Sequence, residues 1–417
     1  MTLIRPFRGL RPKSAQAQEL VAPPYDVLNS EEARQLAEGH PLSFLHISKP
    51  EIDLSPEVNP YTAEVYQKGA ENLNRLIADG VLSLDDQAAY YLYEMLVDGH
   101  SQIGLVAVAS VEKYDQNLIV KHELTRQDKE ADRINMISTM DCQASPVLLT
   151  FAPEPSFSDI VAQVCAQPAE TSVLSTDQVT HRLWPVFDPS LIEGISAIFN
   201  GPNAPVNKLY IADGHHRSAS ASKIAAERIP ANPDHTGDEP YNYFLAVIYP
   251  SDQMKILDYN RVVKDLNGHS VPEFISKLEE WFEVKTSDKP LSPASAGQIG
   301  MYLENQWYQL TADPAKIPQD PVGVLDVSLL YQWVLSPLLG IGNPRTDKRI
   351  DFVGGARGLK GLEMRVDSKE MQVAFSMFPT QMQQIMDVAE ADQIMPPKST
   401  WFEPKLVDGL ICHWLKE

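Results

Sequence analysis

Cysteine is scarce: Cys142, Cys165 and Cys412 are the only three in 417 residues, and no two stand in C-x-x-C spacing. An odd, scattered set excludes a disulfide framework and a zinc ribbon, and it fits a reducing compartment. Positive charge is also in deficit. Lys and Arg number 35 against 56 Asp and Glu, a formal net charge of −21. A protein that grips nucleic acid by its phosphates needs a basic face, so this balance argues against nucleic acid as partner. Long apolar runs are missing, since FLAVIYP (244–250) and SPVLLTF (145–151) are strand-sized, far short of the roughly 18 residues of a membrane helix. Arg5 and Arg8 interrupt what would be the apolar core of a secretory signal, so a cytoplasmic protein with no membrane partner is expected. The sequence holds no G-x-x-x-x-G-K-[ST] loop, no G-x-S-x-G elbow and no G-x-G-x-x-G fingerprint on a first strand. That argues against conventional P-loop, esterase and Rossmann dehydrogenase chemistry.

What is present describes a globular protein. Six Trp, 15 Tyr and 13 Phe need burying, in a chain 43% apolar and 22% charged. Its length corresponds to roughly two or three domains. Residues 30–39 read as a helix capped by Asn29 or Ser30, and residues 59–80 as a second helix ending at Gly80. Asp98-Gly99 separates two β-rich runs as a hairpin turn would. Residues 126–140 read as helical, and residues 208–230 as a strand, a tight turn and a helix. Hairpins mixed with helices predict an α+β fold rather than a βαβ series. The Pro-, Ser- and Ala-rich stretch 283–298 marks a boundary, with domains expected at 1–280 and 281–417, the second a smaller α+β region.

The sharpest chemical signal is Ile211-Ala212-Asp213-Gly214-His215-His216-Arg217-Ser218, a buried strand running through a glycine turn into a helix rich in small residues. A helix N-terminus offers unpaired N–H groups and partial positive charge, hence an anion site. Gly214 lets a ligand approach the backbone, and Arg217 suits a phosphate or carboxylate. Asp213 suits a metal ion or a hydroxyl, and His215 or His216 a proton-transfer role. A strand-to-helix turn with an Asp cap and two solvated histidines explains the same letters. Lys121-His122-Glu123-Leu124-Thr125-Arg126 reads as a strand end delivering His122, Glu123 and Arg126 to a rim; the fifth position is Arg126, so it is no zincin helix. Pro23-Pro24 stiffens a loop that presents Asp26. Met395 to Lys405 contains a Lys398-Ser399-Thr400 loop able to hold an anion, or equally a strap packed through Trp401 and Phe402.

Taken in order, VAPPYDVL, HELT with Arg133 downstream, HRLW, IADGHHRSASA and MPPKSTWFEPKL resemble the prokaryotic family catalogued as domain of unknown function 1015, from Pro6 to about Leu410. One departure is Asn260-Arg261-Val262, where the family pattern is expected to have His-Arg-Val. More distantly, DGHHR is similar to the phosphate-binding turn of the ParB/sulfiredoxin-like superfamily, which includes free-serine kinases. That resemblance implies a ParB/sulfiredoxin-like mixed core with large insertions. It implies a magnesium-dependent kinase using a nucleoside di- or triphosphate and a small hydroxylated metabolite. In that scheme Gly214, His216, Arg217 and Ser218, with His122, Arg126 and Lys398, bind the nucleotide. Asp213 holds magnesium or the acceptor hydroxyl, Asp26 or Glu123 is the base, and His215 and His216 belong to the catalytic set, with His122 and His216 neutralising the transferred group. The competing expectations are a non-catalytic nucleotide-binding regulator and a metal-dependent hydrolase built on Asp213, His215 and His216.

Overall fold

A computed structural model describes residues 2–416. The fold is α+β, and the chain divides into two compact units: residues 1–254 with 404–417, and residues 255–403. This differs from the expected division at residue 280. The strands Lys255–Leu257 and Tyr259–Val263 already belong to the second unit, and the chain returns to the first at Pro404. Of the Pro-, Ser- and Ala-rich stretch 283–298, residues 283–287 complete the strand Phe282–Ser287 and residues 288–297 are the loop to Gln298–Leu303 in the same sheet.

The first unit is organised on a nine-stranded sheet. Its order runs Ile119–Val120, Leu209–Asp213, Val147–Phe151, Tyr243–Pro250, His100–Ser110, Tyr90–Val97, Thr180–Val186, Thr171–Leu174, with Ile4–Arg5 also pairing His100–Ser110. Two pairings are parallel, Leu209–Asp213 with Ile119–Val120 and Tyr243–Pro250 with Val147–Phe151; the others are antiparallel. The Asp98-Gly99 turn joins its strands with both residues at positive φ, 51° and 76°, the geometry that matches strand twist in two-residue hairpins. Central strands are apolar on both faces, which requires cover on both. One core gathers Leu92, Leu105, Leu149, Ile211 and Ile248 with the mutually edge-on rings of Phe151, Phe157 and Phe199. Another packs Phe44, Leu45, Tyr66, Leu73 and Met136 beside a four-stranded sheet in which Cys412–Trp414 lies between Gly9–Pro12 and Cys142–Gln143.

Helix starts follow local chemistry. Asn29 and Glu32 form a reciprocal capping box for Ser30–Ala37. Residues 6–28 contain the helix Ser14–Leu20; Ala, Gln and Glu favour it, and no side chain caps its start. The second unit carries a six-stranded antiparallel sheet, Phe282–Ser287, Gln306–Ala312, Gln298–Leu303, Val373–Met377, Tyr259–Val263, Ile350–Gly354, with the helix Gly358–Asp367 packed on it through Leu362 and Val366. Among the described residues no helix is long and apolar enough to cross a membrane.

Candidate functional site

The strand Leu209–Asp213 is buried from Leu209 to Ala212 and partly exposed at Asp213, and its register with Val147–Phe151 slips between Ile211 and Asp213. Ala212 is the extra residue, and Asp213 rejoins the ladder opposite Leu148; such a bulge re-aims the side chains that follow it. Gly214 follows at φ 98°, and the helix His215–Ala231 begins immediately, with no side chain capping its first turn. Gly214 N–H donates to Asp213 Oδ1 at 2.7 Å. Close approach is built in: a Cβ on Gly214 would stand 3.1 Å from Arg217 Nε and 3.3 Å from Val147 Cα.

Arg217 folds back under this turn. One terminal nitrogen donates to Pro146 O. The other lies 3.8 Å from Asp26 Oδ2 and 3.9 Å from Asp213 Oδ1, beyond hydrogen-bond reach of both. Nε is buried without a partner. Burial opposes the charge, yet Tyr25, Asp26, Asp213 and Asp408 together hold the guanidinium firmly protonated. Lys405 Nζ stands 3.6 Å from Asp213 Oδ2. Burial would raise the Asp213 carboxyl, but Lys405 and Arg217 overcome it and keep the group below its usual range. The structure thus brings Asp26, Asp213, Gly214 and Arg217 together, across almost 200 residues of sequence.

A second layer lies behind the turn. His122 and His215 pack edge to face with ring centroids 4.5 Å apart, and His122 N–H points at His215 Nε2 at 3.5 Å. His215 Nδ1 is 3.8 Å from Glu123 Oε2. Burial pushes His122 down to about 4 and His215 well below 6.5, the latter helped by the neighbouring positive groups. Both rings are therefore neutral at pH 7, and His122 sits here as an uncharged group rather than the cation expected. Its Nδ1 is buried and unpartnered. Stability follows from the sign: a histidine whose folded value is depressed stabilises fully above 6.5 and loses that contribution as pH falls through about 4. Thermal unfolding of His122→Phe, which keeps the ring contact, should show the loss of stability between pH 6.5 and pH 4 reduced by about 3 kcal/mol relative to wild type. Parallel pH profiles would contradict a buried neutral His122.

His216 Nε2 accepts from Arg126 N–H at 3.1 Å, and burial lowers its pKa too. The Arg126 guanidinium is turned to Asp128, at 2.6 and 3.1 Å. Ser218 is fully buried and its hydroxyl donates back to His215 O at 3.1 Å, so it faces the helix rather than a ligand. Lys398 belongs to the second unit, where its Nζ lies 5.5 Å from the Tyr259 ring centre and its carbonyl accepts from Arg261 at 3.0 Å. Asn260, where histidine was expected, is fully buried and accepts from Met377 N–H at 2.9 Å, bracing its strand. In HRLW, His181 bonds Tyr93 at 2.7 Å and Arg182 pairs with Glu94 at 2.9 Å. Among the described residues no group of three or more His, Cys, Asp or Glu is arranged to hold a metal ion. The trio Asp213, His215 and His216 does not converge, because the two consecutive histidines leave the helix in different directions, towards His122 and towards Arg126.

Sequence reasoning passed over several members of the cluster. Asp408 is 1% exposed and accepts from Tyr25 N–H at 3.2 Å. Arg133 holds Asp132 at 2.6 Å and places its guanidinium 4.0 Å from the Tyr25 ring centre. A small cavity of about 30 Å³, lined by Tyr25, Ser48, Arg133, Ser145 and Arg217 among apolar neighbours, lies beneath them. Lys405 lies in the MPPKSTWFEPKL segment and Arg133 downstream of HELT, but nothing local marks them as neighbours of Asp213 and Tyr25.

Comparison with known proteins agrees at the level of family. No curated protein matches the chain. Solved structures it is similar to include a free serine kinase in complex with AMP (14% identity, TM-score 0.35, covering 71% of this chain and 86% of that one). C-terminally truncated SbnI from Staphylococcus aureus is also similar (11% identity, TM-score 0.36, 73% and 85%). A conserved hypothetical protein from Pyrococcus furiosus is a third (14% identity, TM-score 0.34, 71% and 90%). The family is settled by the sequence itself: the model described as "Protein of unknown function (DUF1015)" matches residues 4–328, and the chain belongs to that family.

Proposed function

We propose that the protein is a nucleotide-dependent phosphotransferase acting on a small hydroxylated metabolite. The observation that carries this reading is Arg217: a buried guanidinium attracted by carboxylates at 3.8 and 3.9 Å yet hydrogen-bonded to neither, directly under a glycine turn that opens a helix. Such a cation keeps donor capacity for an oxyanion, and the uncapped first turn adds backbone donors and positive potential. Phosphoryl transfer asks mainly for positioning and charge neutralisation.

In this reading Arg217 and the Gly214 turn bind phosphate oxygens, and Lys405 adds a second cation at the other oxygen of Asp213. The acceptor hydroxyl oxygen forms a bond to the terminal phosphorus as the bond from that phosphorus to the bridging oxygen breaks. The hydroxyl proton passes to a carboxylate, and the shortened nucleotide leaves. Asp26, half exposed beside Arg217, is the base; Glu123 faces His215 instead. Asp213 orients the hydroxyl. The donor set suits magnesium, which is normally held by one or two carboxylates and the substrate phosphates; Asp213 would be its protein ligand, supplying charge neutralisation to the phosphates. His122 and His215 exclude water from behind the turn and keep it rigid.

Isothermal titration with ATP, ADP and CTP, each with magnesium, is expected to give saturable heat with at least one of them. Turnover over a panel of amino acids and sugars should then fall by at least about a hundredfold in Asp26→Asn while nucleotide affinity is retained, as expected for loss of a general base. No heat with any nucleotide would refute the reading. Binding without turnover on any acceptor would leave a nucleotide sensor in its place.

A further inference from the structure

Asp408 lies outside the motifs that pointed to the site, and the proposed transfer gives it no role. Its main chain is fixed first. Asp408 N–H donates to Ala22 O at 2.9 Å and Ala22 N–H to Asp408 O at 3.1 Å, an antiparallel bridge between the C-terminal segment and the loop leading to Asp26. Gly409 follows at φ 88°, and a Cβ there would meet the Phe44 ring at 2.7 Å, so the segment is tightly seated. The Asp408 side chain then accepts from Tyr25 N–H at 3.2 Å and from Ser145. Tyr25 is the residue before Asp26. The charged and titratable groups that face Asp408 come from every element around it: Tyr25 and Asp26 from the loop, Arg133 from the helix Gln127–Met140, Arg217 from the helix His215–Ala231, Tyr93 from its strand and Cys412 from the C-terminal strand.

We propose that Asp408 is a positioning residue: its carboxyl fixes the Tyr25–Asp26 peptide beside Arg217 and, when ionised, competes with an incoming phosphate for that guanidinium. The phosphate half of this statement rests on the function proposed above; the tethering half does not. Burial, set against Ser145 and Arg217, raises the carboxyl to about 7, so its charge changes near neutral pH. Below that pH the neutral acid still accepts from Tyr25 N–H and leaves Arg217 to the ligand. Above it the carboxylate and the phosphate share one cation.

The test is calorimetry with ADP and with inorganic pyrophosphate at pH 6, 7 and 8, on wild type, Asp408→Asn and Asp408→Ala. The amide keeps an acceptor oxygen for Tyr25 but carries no charge. Wild type and Asp408→Asn should bind alike at pH 6, and wild type should bind roughly tenfold more weakly than the amide variant at pH 8, the size expected of one nearby charge. Comparing the two proteins cancels titration of the ligand itself. Asp408→Ala should bind weakly at every pH, because the tether is gone. A constant affinity ratio between wild type and Asp408→Asn would overturn the proposal. If wild type binds neither probe, the nucleotide reading and the phosphate half fall together, and thermal unfolding decides the rest. Because a carboxyl with a raised folded value loses stability as pH rises between its unfolded value and about 7, the melting temperature of Asp408→Asn relative to wild type should be higher at pH 8 than at pH 5. Asp408→Ala should melt below Asp408→Asn at both pH values, because only the amide keeps an acceptor for Tyr25 N–H; equal melting of these two variants would overturn the tethering half.

Discussion

An Arg217→Met variant is expected to lose nucleotide binding by roughly a hundredfold or more, the equivalent of about 3 kcal/mol for one or two charge-assisted hydrogen bonds. Methionine preserves most of the buried volume, so the loss reports charge and donors rather than a cavity. The change also leaves Asp26, Asp213 and Asp408 without the cation they share. Asp213 retains Lys405, whereas buried Asp408 loses a neighbour that favoured its ionised form. The variant should therefore be destabilised by about 2–4 kcal/mol at pH 8, where breaking a buried charge cluster leaves charge uncompensated, and by less at pH 5, where Asp408 takes a proton. Calorimetry and thermal unfolding at the two pH values measure both effects. Wild-type affinity in Arg217→Met would remove the central element of the proposed site.

The second large effect is at Gly214. Alanine there must adopt φ near 98°, which costs an L-residue about 1–2 kcal/mol. Its methyl carbon would also stand 3.1 Å from Arg217 Nε and 3.3 Å from the Val147 backbone. The guanidinium can move and the backbone resists, so Arg217 is pushed out of its seat. Gly214→Ala should lose about 2–3 kcal/mol of stability in denaturant unfolding and at least tenfold in nucleotide affinity. Gly39, also at positive φ but with nothing within 4 Å of a Cβ, provides the control: Gly39→Ala should show only the backbone cost and leave affinity unchanged. Equal behaviour of the two variants would show that the Gly214 turn is ordinary backbone.

Much of this was open to a reader of the sequence. The turn at 213–217 was legible because strand, glycine and helix chemistry are all local there: apolar residues before it, small residues after it, and a glycine where only positive φ fits. The Asp98-Gly99 hairpin and the Asn29 cap were legible for the same reason. The division into units was not, because Pro404–Glu417 joins the first unit by pairing Cys412–Trp414 between strands more than 100 residues apart in sequence. Nor was the protonation of the histidines. His122 and His215 are charged or neutral according to burial, and burial depends on which side of a rim the chain turns.

The sequence alone determined the family, the α+β class and the strand-glycine-helix turn at 213–217, since each depends on residues a few positions apart or on an ordered set of short motifs. Tertiary structure alone decided what surrounds the turn. Asp26, Lys405 and Asp408 meet Arg217 and Asp213 only because two chain ends pack onto one strand-to-helix junction. Charges separated by hundreds of residues have no local pattern, so their proximity and the proton equilibria it imposes become visible only once the sheet has assembled.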